Sequence, residues 1–194
     1  MLAIRTVAVL LLVSVIVSCG SSPKGEGVDS ISEPGTFLKA EIQERIAAIP
    51  YQTEQVLYDN LLRLSYIGEP AIPFLVDALS DRDPRTRGSC AFVLGHIRDR
   101  RTIPALRKAL DDPINSVRYE AAVALGNIGD RGGYPVLVAG LADEDIRSRY
   151  KAHEALTLLT GLDFGYKHDD SPADRRTAVL KWEAWLDKME ADPR

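Results

Sequence analysis

The chain has 194 residues, of which 45% are hydrophobic, 27% charged and 7% aromatic. That composition is ordinary for a globular protein, and the sparse aromatics favour Leu- and Ala-rich helices over a β-sandwich. The formal charge is −4 and no block of Lys and Arg occurs, which makes nucleic acid an unsuitable partner because phosphate binding needs clustered cations.

The opening segment, "MLAIRTVAVLLLVSVIVSCGSS", has one early cation, Arg5, and then an apolar run from Val7 to Val17 broken only by Ser14. The run is too short to cross a bilayer core, which takes roughly 18 residues or more. It fits the hydrophobic region of a secretory signal over residues 1–18. Ile16-Val17-Ser18-Cys19 resembles a bacterial lipobox. The resemblance implies cleavage before Cys19, a diacylglycerol on its sulfur and acylation of the new amine. Several acyl chains anchor stably where one does not. An ordinary cleaved signal and a retained transmembrane anchor are the alternatives. Gly20, where an Asp would retain the protein at the inner membrane, favours the outer membrane if the cell has one, by resemblance to enteric sorting rules. The expected address is therefore the bacterial cell envelope, with the folded part facing the periplasm or the cell surface. Residues 19–35 are rich in Gly, Ser and Pro without apolar periodicity and read as a flexible tether.

Residues 36–66 form a first helical hairpin in degenerate form, with Leu64 and Ile67 echoing Leu94 and Ile97. From residue 67 to 161 the sequence repeats itself three times. Pro73, Pro104 and Pro135 are 31 residues apart. So are Leu75, Leu106 and Leu137; Leu79, Leu110 and Leu141; Asp81, Asp112 and Asp143; Arg87, Arg118 and Arg149; and Leu94, Leu125 and Leu156. A fixed period of this length marks a repeat array. Within a unit, Ile103, Leu106 and Leu110 share one helical face, and Val117, Ala121, Ala124, Leu125 and Ile128 form an amphipathic stripe on a second helix. Asp, Asn and Ser in the intervening turns are suited to cap that helix, and Pro84 follows Asp83 at its first position. A lone hairpin of this size cannot bury its stripe, so stacked copies bury it against each other.

The Pro, Asp and Arg columns resemble the HEAT repeat, and the "ALGNIGD" close with its short period looks most like the phycobilisome-lyase-type HEAT-like proteins. The resemblance implies an all-α solenoid. It also implies an inter-repeat ladder of Asp81, Asp112 and Asp143 with Arg87, Arg118 and Arg149. Residues 162–194 break the period. A loop runs from Gly161 to Ser171, and Pro172 opens a long helix whose Ala178, Trp182, Trp185 and Met189 share a face, as a C-terminal cap would. Buried tryptophans there would suit a cap, and exposed ones an assembly joint.

Candidate chemistry is thin. Cys90 stands where other copies carry Ala121 and Ala152, so it reads as a small core residue. His153-Glu154 resembles the His-Glu steps of the deoxyhypusine hydroxylases, but that iron site draws on several such steps and this chain has one. Asp163, His168, Asp169 and Asp170 gather acids and an imidazole in the cap loop. His168, Asp169 and Asp170 are weak metal candidates, set against a solvated loop with Phe164 and Tyr166 packed under the last helix. No phosphate loop, nucleophile elbow or dinucleotide fingerprint occurs. The sequence therefore reads as a protein that is not an enzyme and carries no cofactor. It reads instead as a scaffold that binds another protein through its second helices. There, Gly88, Tyr119 and Tyr150 form one column. Phe92, Val123 and Glu154 form a second, and His96, Asn127 and Leu158 a third. Tyr119, Tyr150, Phe92, Val123, His96 and Asn127 are the expected contact residues, although packing between repeats would equally account for them. A metal-binding or lyase-like enzyme on the same fold, and a structural assembly subunit, are the alternatives.

Overall fold

The computed structural model describes residues 27, 28 and 31–191. The signal segment 1–18, Cys19 and most of the tether lie outside the described residues. Every regular element described is helical. Helices α1 (Thr36–Ala48) and α2 (Glu54–Ile67) form the leading hairpin. Three units follow: α3 (Ile72–Ala78) with α4 (Pro84–Ile97), α5 (Ile103–Ala109) with α6 (Asn115–Ile128), and α7 (Tyr134–Gly140) with α8 (Ile146–Thr160). Helix α9 (Pro172–Ala191) closes the array. None of the described helices is long and apolar enough to cross a membrane.

The recurring prolines account for the short first helices. Pro73, Pro104 and Pro135 sit in the opening turns of α3, α5 and α7, each preceded by a single 3-10 turn. A proline there costs no helical hydrogen bond. Helices α4 and α8 are capped by aspartates at their N-termini, whereas α6 begins after Ile114 without a side-chain cap. Asp83 accepts from the Arg85 and Thr86 amides at 2.8 and 3.1 Å, and Asp145 accepts from Ser148 N at 2.9 Å. Gly129 ends α6 at φ 84°, while its counterpart Arg98 ends α4 in the same left-handed region at φ 59°.

The repeated leucines are the core. Leu75, Leu106 and Leu137, and Leu94, Leu125 and Leu156, are all fully buried. Each burial contributes about 1.5–3 kcal/mol. The apolar interior falls into two clusters. One runs from Ile31 to Ile128, and the other joins Tyr119 and Ala122 to α7, α8 and α9. The second cluster contains Trp182, fully buried and edge-on to both Phe164 and Trp185. Trp185 meets Tyr134 with ring centroids 5.6 Å apart. Helix α9 is therefore packed as a cap.

Neighbouring second helices pack directly on one another, whereas α3, α5 and α7 barely touch each other. The second-helix layer is thus the more closely packed one. Gly95 permits it: a β-carbon there would lie 2.7 Å from Cα of Ala124.

Candidate protein-binding face

Helical geometry divides each second helix into three sectors. On α6, Val117, Ala121, Ala124, Leu125 and Ile128 are buried on the preceding side. Tyr119, Ala122 and Gly126 face the following unit, and Ser116, Glu120, Val123 and Asn127 are left toward solvent. The same sector holds Ser89, Phe92 and His96 on α4, and Lys151, Glu154 and Leu158 on α8. The repeat offset extends it to Asp59, Leu62 and Tyr66 on α2. Leu62, Phe92 and Val123 are half-buried in one row. Tyr66, His96, Asn127 and Leu158 make the next, and its two ends, Tyr66 at 81% and Leu158 at 74%, are strongly exposed. Phe92 and His96 stack at 4.1 Å, with His96 Nδ1 at 2.9 Å from the Phe92 carbonyl. The result is an aromatic and aliphatic band running across four helices.

One expected contact residue does not belong to this band. Tyr119 is 4% exposed. It lies in the sector facing the next unit, where its ring occupies the notch left by Gly140. A β-carbon on Gly140 would stand 2.8 Å from that ring. Its hydroxyl donates to Asp143 Oδ2 at 3.1 Å, and burial beside that carboxylate pushes the phenol up to about 12. Tyr119 is a strut between units and presents nothing to a partner. Tyr150, in the same column, has no further repeat to fill and is half exposed, edge-on to His168 at 5.1 Å. Tyr66, Leu62 and Glu120 were absent from the expected set. The echo of Leu94 and Ile97 by Leu64 and Ile67 was the signal that extends the rows onto α2.

Among the described residues, the Asp and Arg columns make one direct ion pair across units. Arg87 donates to both carboxylate oxygens of Asp112 at 2.6 and 2.8 Å, and Arg87 holds Asp112 below the usual carboxylate range. The next step is relayed: Arg118 donates to Asn115, and Asn115 to Asp143. Asp81 gains no arginine from the unit before it, because Leu57 occupies that register. Arg149, with no unit after it, donates to the His168 carbonyl at 3.0 Å and to the carbonyls of Asp143 and Glu144. These contacts set the angle between units and are not available to a ligand.

The cap loop does not gather its acids. His153 Nε2 lies 3.7 Å from Asp163 and 3.4 Å from Thr157 Oγ1, and burial lowers its pKa. His168, Asp169 and Asp170 do not converge with it: among the described residues no three His, Cys, Asp or Glu side chains are placed to share a metal ion. Cys90 is fully buried in the first apolar cluster, and desolvation pushes its thiol up to about 12, so no reactive thiolate is presented.

Residues 72–157 match the family model described as HEAT repeats. The array is a HEAT-repeat solenoid. A chain of the complex of CpcE and CpcF of phycocyanin lyase from Nostoc sp. PCC7120 shares this HEAT fold with a TM-score of 0.54 and 23% identity, over 75% of this chain and 99% of that one. Human deoxyhypusine hydroxylase gives a TM-score of 0.43 at 22% identity, over 76% and 65% of the two chains. An engineered protein gives 0.40 at 20%, over 74% and 68%. At these identities the likeness is one of fold. No curated protein matches the sequence significantly. The expectation that the chain is not an enzyme is corrected here. It rested on the lack of a recognisable catalytic motif, yet the same fold occurs in a chain of a lyase complex. HEAT solenoids serve both kinds of protein, so the fold gives no ground for excluding catalysis.

Proposed function

We propose that the HEAT array is a docking module for another protein, held at a bacterial cell envelope by a lipid on Cys19. The band from Tyr66 through Phe92 and Val123 to Leu158 carries this reading. Large apolar side chains left in contact with water along a rigid surface recover hydration free energy when a partner covers them. The repeats supply the rigidity, since Gly95 and Gly126 bring the second helices close and the Arg87–Asp112 pair fixes one joint. The lipobox resemblance at Ile16–Cys19 supports the anchor, and the Gly- and Ser-rich stretch after it supports a tether. The fold shared with a chain of a lyase complex supports a second reading, in which the docked protein is the other subunit of an enzyme assembly.

The test places a photo-crosslinking residue at position 158, on the band, and at position 44, on the exposed face of α1, in otherwise native cells. A single protein captured from 158 and not from 44 is expected. Equal capture from both positions would refute the face. Metabolic labelling with a radioactive fatty acid, lost in Cys19→Ser, tests the anchor separately. Assay of the captured pair against either chain alone tests the enzyme-assembly reading.

A further inference from the structure

Glu120 stands beside the centre of the band. It shares the solvent sector of α6 with Ser116, Val123 and Asn127, and its side chain lies over Gly88 of α4. A β-carbon at Gly88 would sit 3.7 Å from Glu120 Cγ. The floor beneath the carboxylate is therefore bare backbone. Glu120 is half-buried and, among the described residues, takes part in no hydrogen bond or ion pair. Burial raises its pKa, while Lys151 and His96 act on it from a distance in the opposite direction. A carboxylate in that position has lost part of its hydration without a replacement. Asp59 occupies the same row on α2, where it is exposed and accepts only the Gln55 amide at 3.0 Å. Ser89 lies between them, so this row offers two acids along the edge of the apolar row Leu62, Phe92 and Val123.

We propose that this face takes a cationic amphipathic segment of the partner protein, its apolar side chains on Leu62, Phe92 and Val123 and a Lys or Arg at Glu120. The inference rests on the docking reading of the same face and names the partner's chemistry. An acidic segment would meet Asp59, Glu120 and Glu154. A neutral apolar one would leave the Glu120 carboxylate covered and unpaired, which costs more than leaving it half in water. Helices packed at about 8–10 Å spacing put α2 and α6 about 20 Å apart, a span matched by a helix of about 13 residues. The exposed Lys151 stands at the far end of the acidic row and competes for Glu120.

The probe is a fluorescein-labelled Leu/Lys amphipathic helix of about 14 residues, compared with a Leu/Gln peptide of the same pattern. Binding is read by anisotropy at low salt to the full chain in phosphatidylcholine nanodiscs, with empty nanodiscs as the blank. The Leu/Lys peptide is expected to bind about tenfold tighter than Leu/Gln. Glu120→Gln should erase that margin, and Lys151→Ala should widen it. Phe92→Ser should weaken both peptides. Glu120 makes no bond within the described fold and is partly desolvated there, so Glu120→Gln should keep or raise the wild-type urea midpoint. If Leu/Gln binds as tightly as Leu/Lys, or Glu120→Gln leaves Leu/Lys unchanged, the cation inference is overturned while the docking face stands. If Phe92→Ser, still folded, changes neither peptide, both fall together.

Discussion

Two glycines on one helix give opposite expectations for the same substitution. Gly→Ala inside a helix ordinarily stabilises by about 1 kcal/mol, because alanine loses less backbone entropy. At Gly88 the added methyl meets Glu120 Cγ at 3.7 Å and Val117 Cγ2 at 4.0 Å, ordinary contact distances, so Gly88→Ala should gain about 0.5–1 kcal/mol. At Gly95 the methyl would stand 2.7 Å from Cα of Ala124 and 2.9 Å from its Cβ. The obstacle is helix backbone and cannot rotate away. Helices α4 and α6 have to separate by several tenths of an ångström along their shared length. Overpacking of this kind costs about 1–3 kcal/mol, here at the upper end, so Gly95→Ala should lose about 1–2 kcal/mol net of the helical gain. Urea unfolding followed by circular dichroism reads both, and the two variants should differ by about 1.5–3 kcal/mol with unchanged slope. A Gly95→Ala midpoint at or above wild type would show that the second helices are not in the close contact on which the binding face depends.

Asp112→Asn should lower stability at neutral pH by about 2–4 kcal/mol, since it leaves Arg87 buried without its counter-charge. Because Arg87 lowers the folded pKa of Asp112, that contribution is complete above the unfolded carboxylate value near about 4 and is lost as pH falls through the lowered value. The gap between the urea midpoints of wild type and variant should therefore close at low pH, and a gap constant from pH 7 to 3 would contradict this. Arg98→Gly should raise stability by about 0.5–1 kcal/mol, because glycine adopts the left-handed φ of 59° without the β-carbon clash. A lower melting temperature than wild type would count against it. Cys90 should resist an aromatic disulfide reagent in the native protein and react only at the rate of unfolding. Rapid native labelling at pH 8, in a variant carrying Cys19→Ser, would show that α4 is not packed as described.

The array was legible because each copy rewrites the same stripe, so the identity of the leucine columns carries the fold without any neighbour being known. The cap was legible through Trp182, which a solvent-facing helix would not carry at that spacing. Tyr119 was not legible in the same way. Hydropathy says that a tyrosine lies off the core stripe, but not whether the adjoining sector meets solvent or the next unit. The usable signal was reciprocal size. Tyr119 stands where the preceding copy has Gly88, and Gly140 stands where it has Ala109, one side growing as the other shrinks. Glu120 escaped because its isolation is a matter of what fails to reach it across two neighbouring helices. The cap loop offered only weak metal candidates, and among the described residues its acids and imidazole are not placed to share an ion, since closeness in sequence does not make side chains converge.

Helix α6 belongs to both apolar clusters, giving Ala121 and Ala124 to one and Tyr119 and Ala122 to the other. The molecule therefore has a seam. Opening of α7 to α9 exposes the second cluster while the first keeps its own interior, so cooperativity is divided at α6 rather than spread along the chain. Amides of α8 and α9 should then exchange with deuterium sooner than those of α4, and by a separate event. A partner seated mainly across α2 to α6 would slow exchange most in that half and less on α8, which it meets only at Leu158. Occupancy would thus be recorded in the exchange pattern of the array itself, with no need for the partner to be seen.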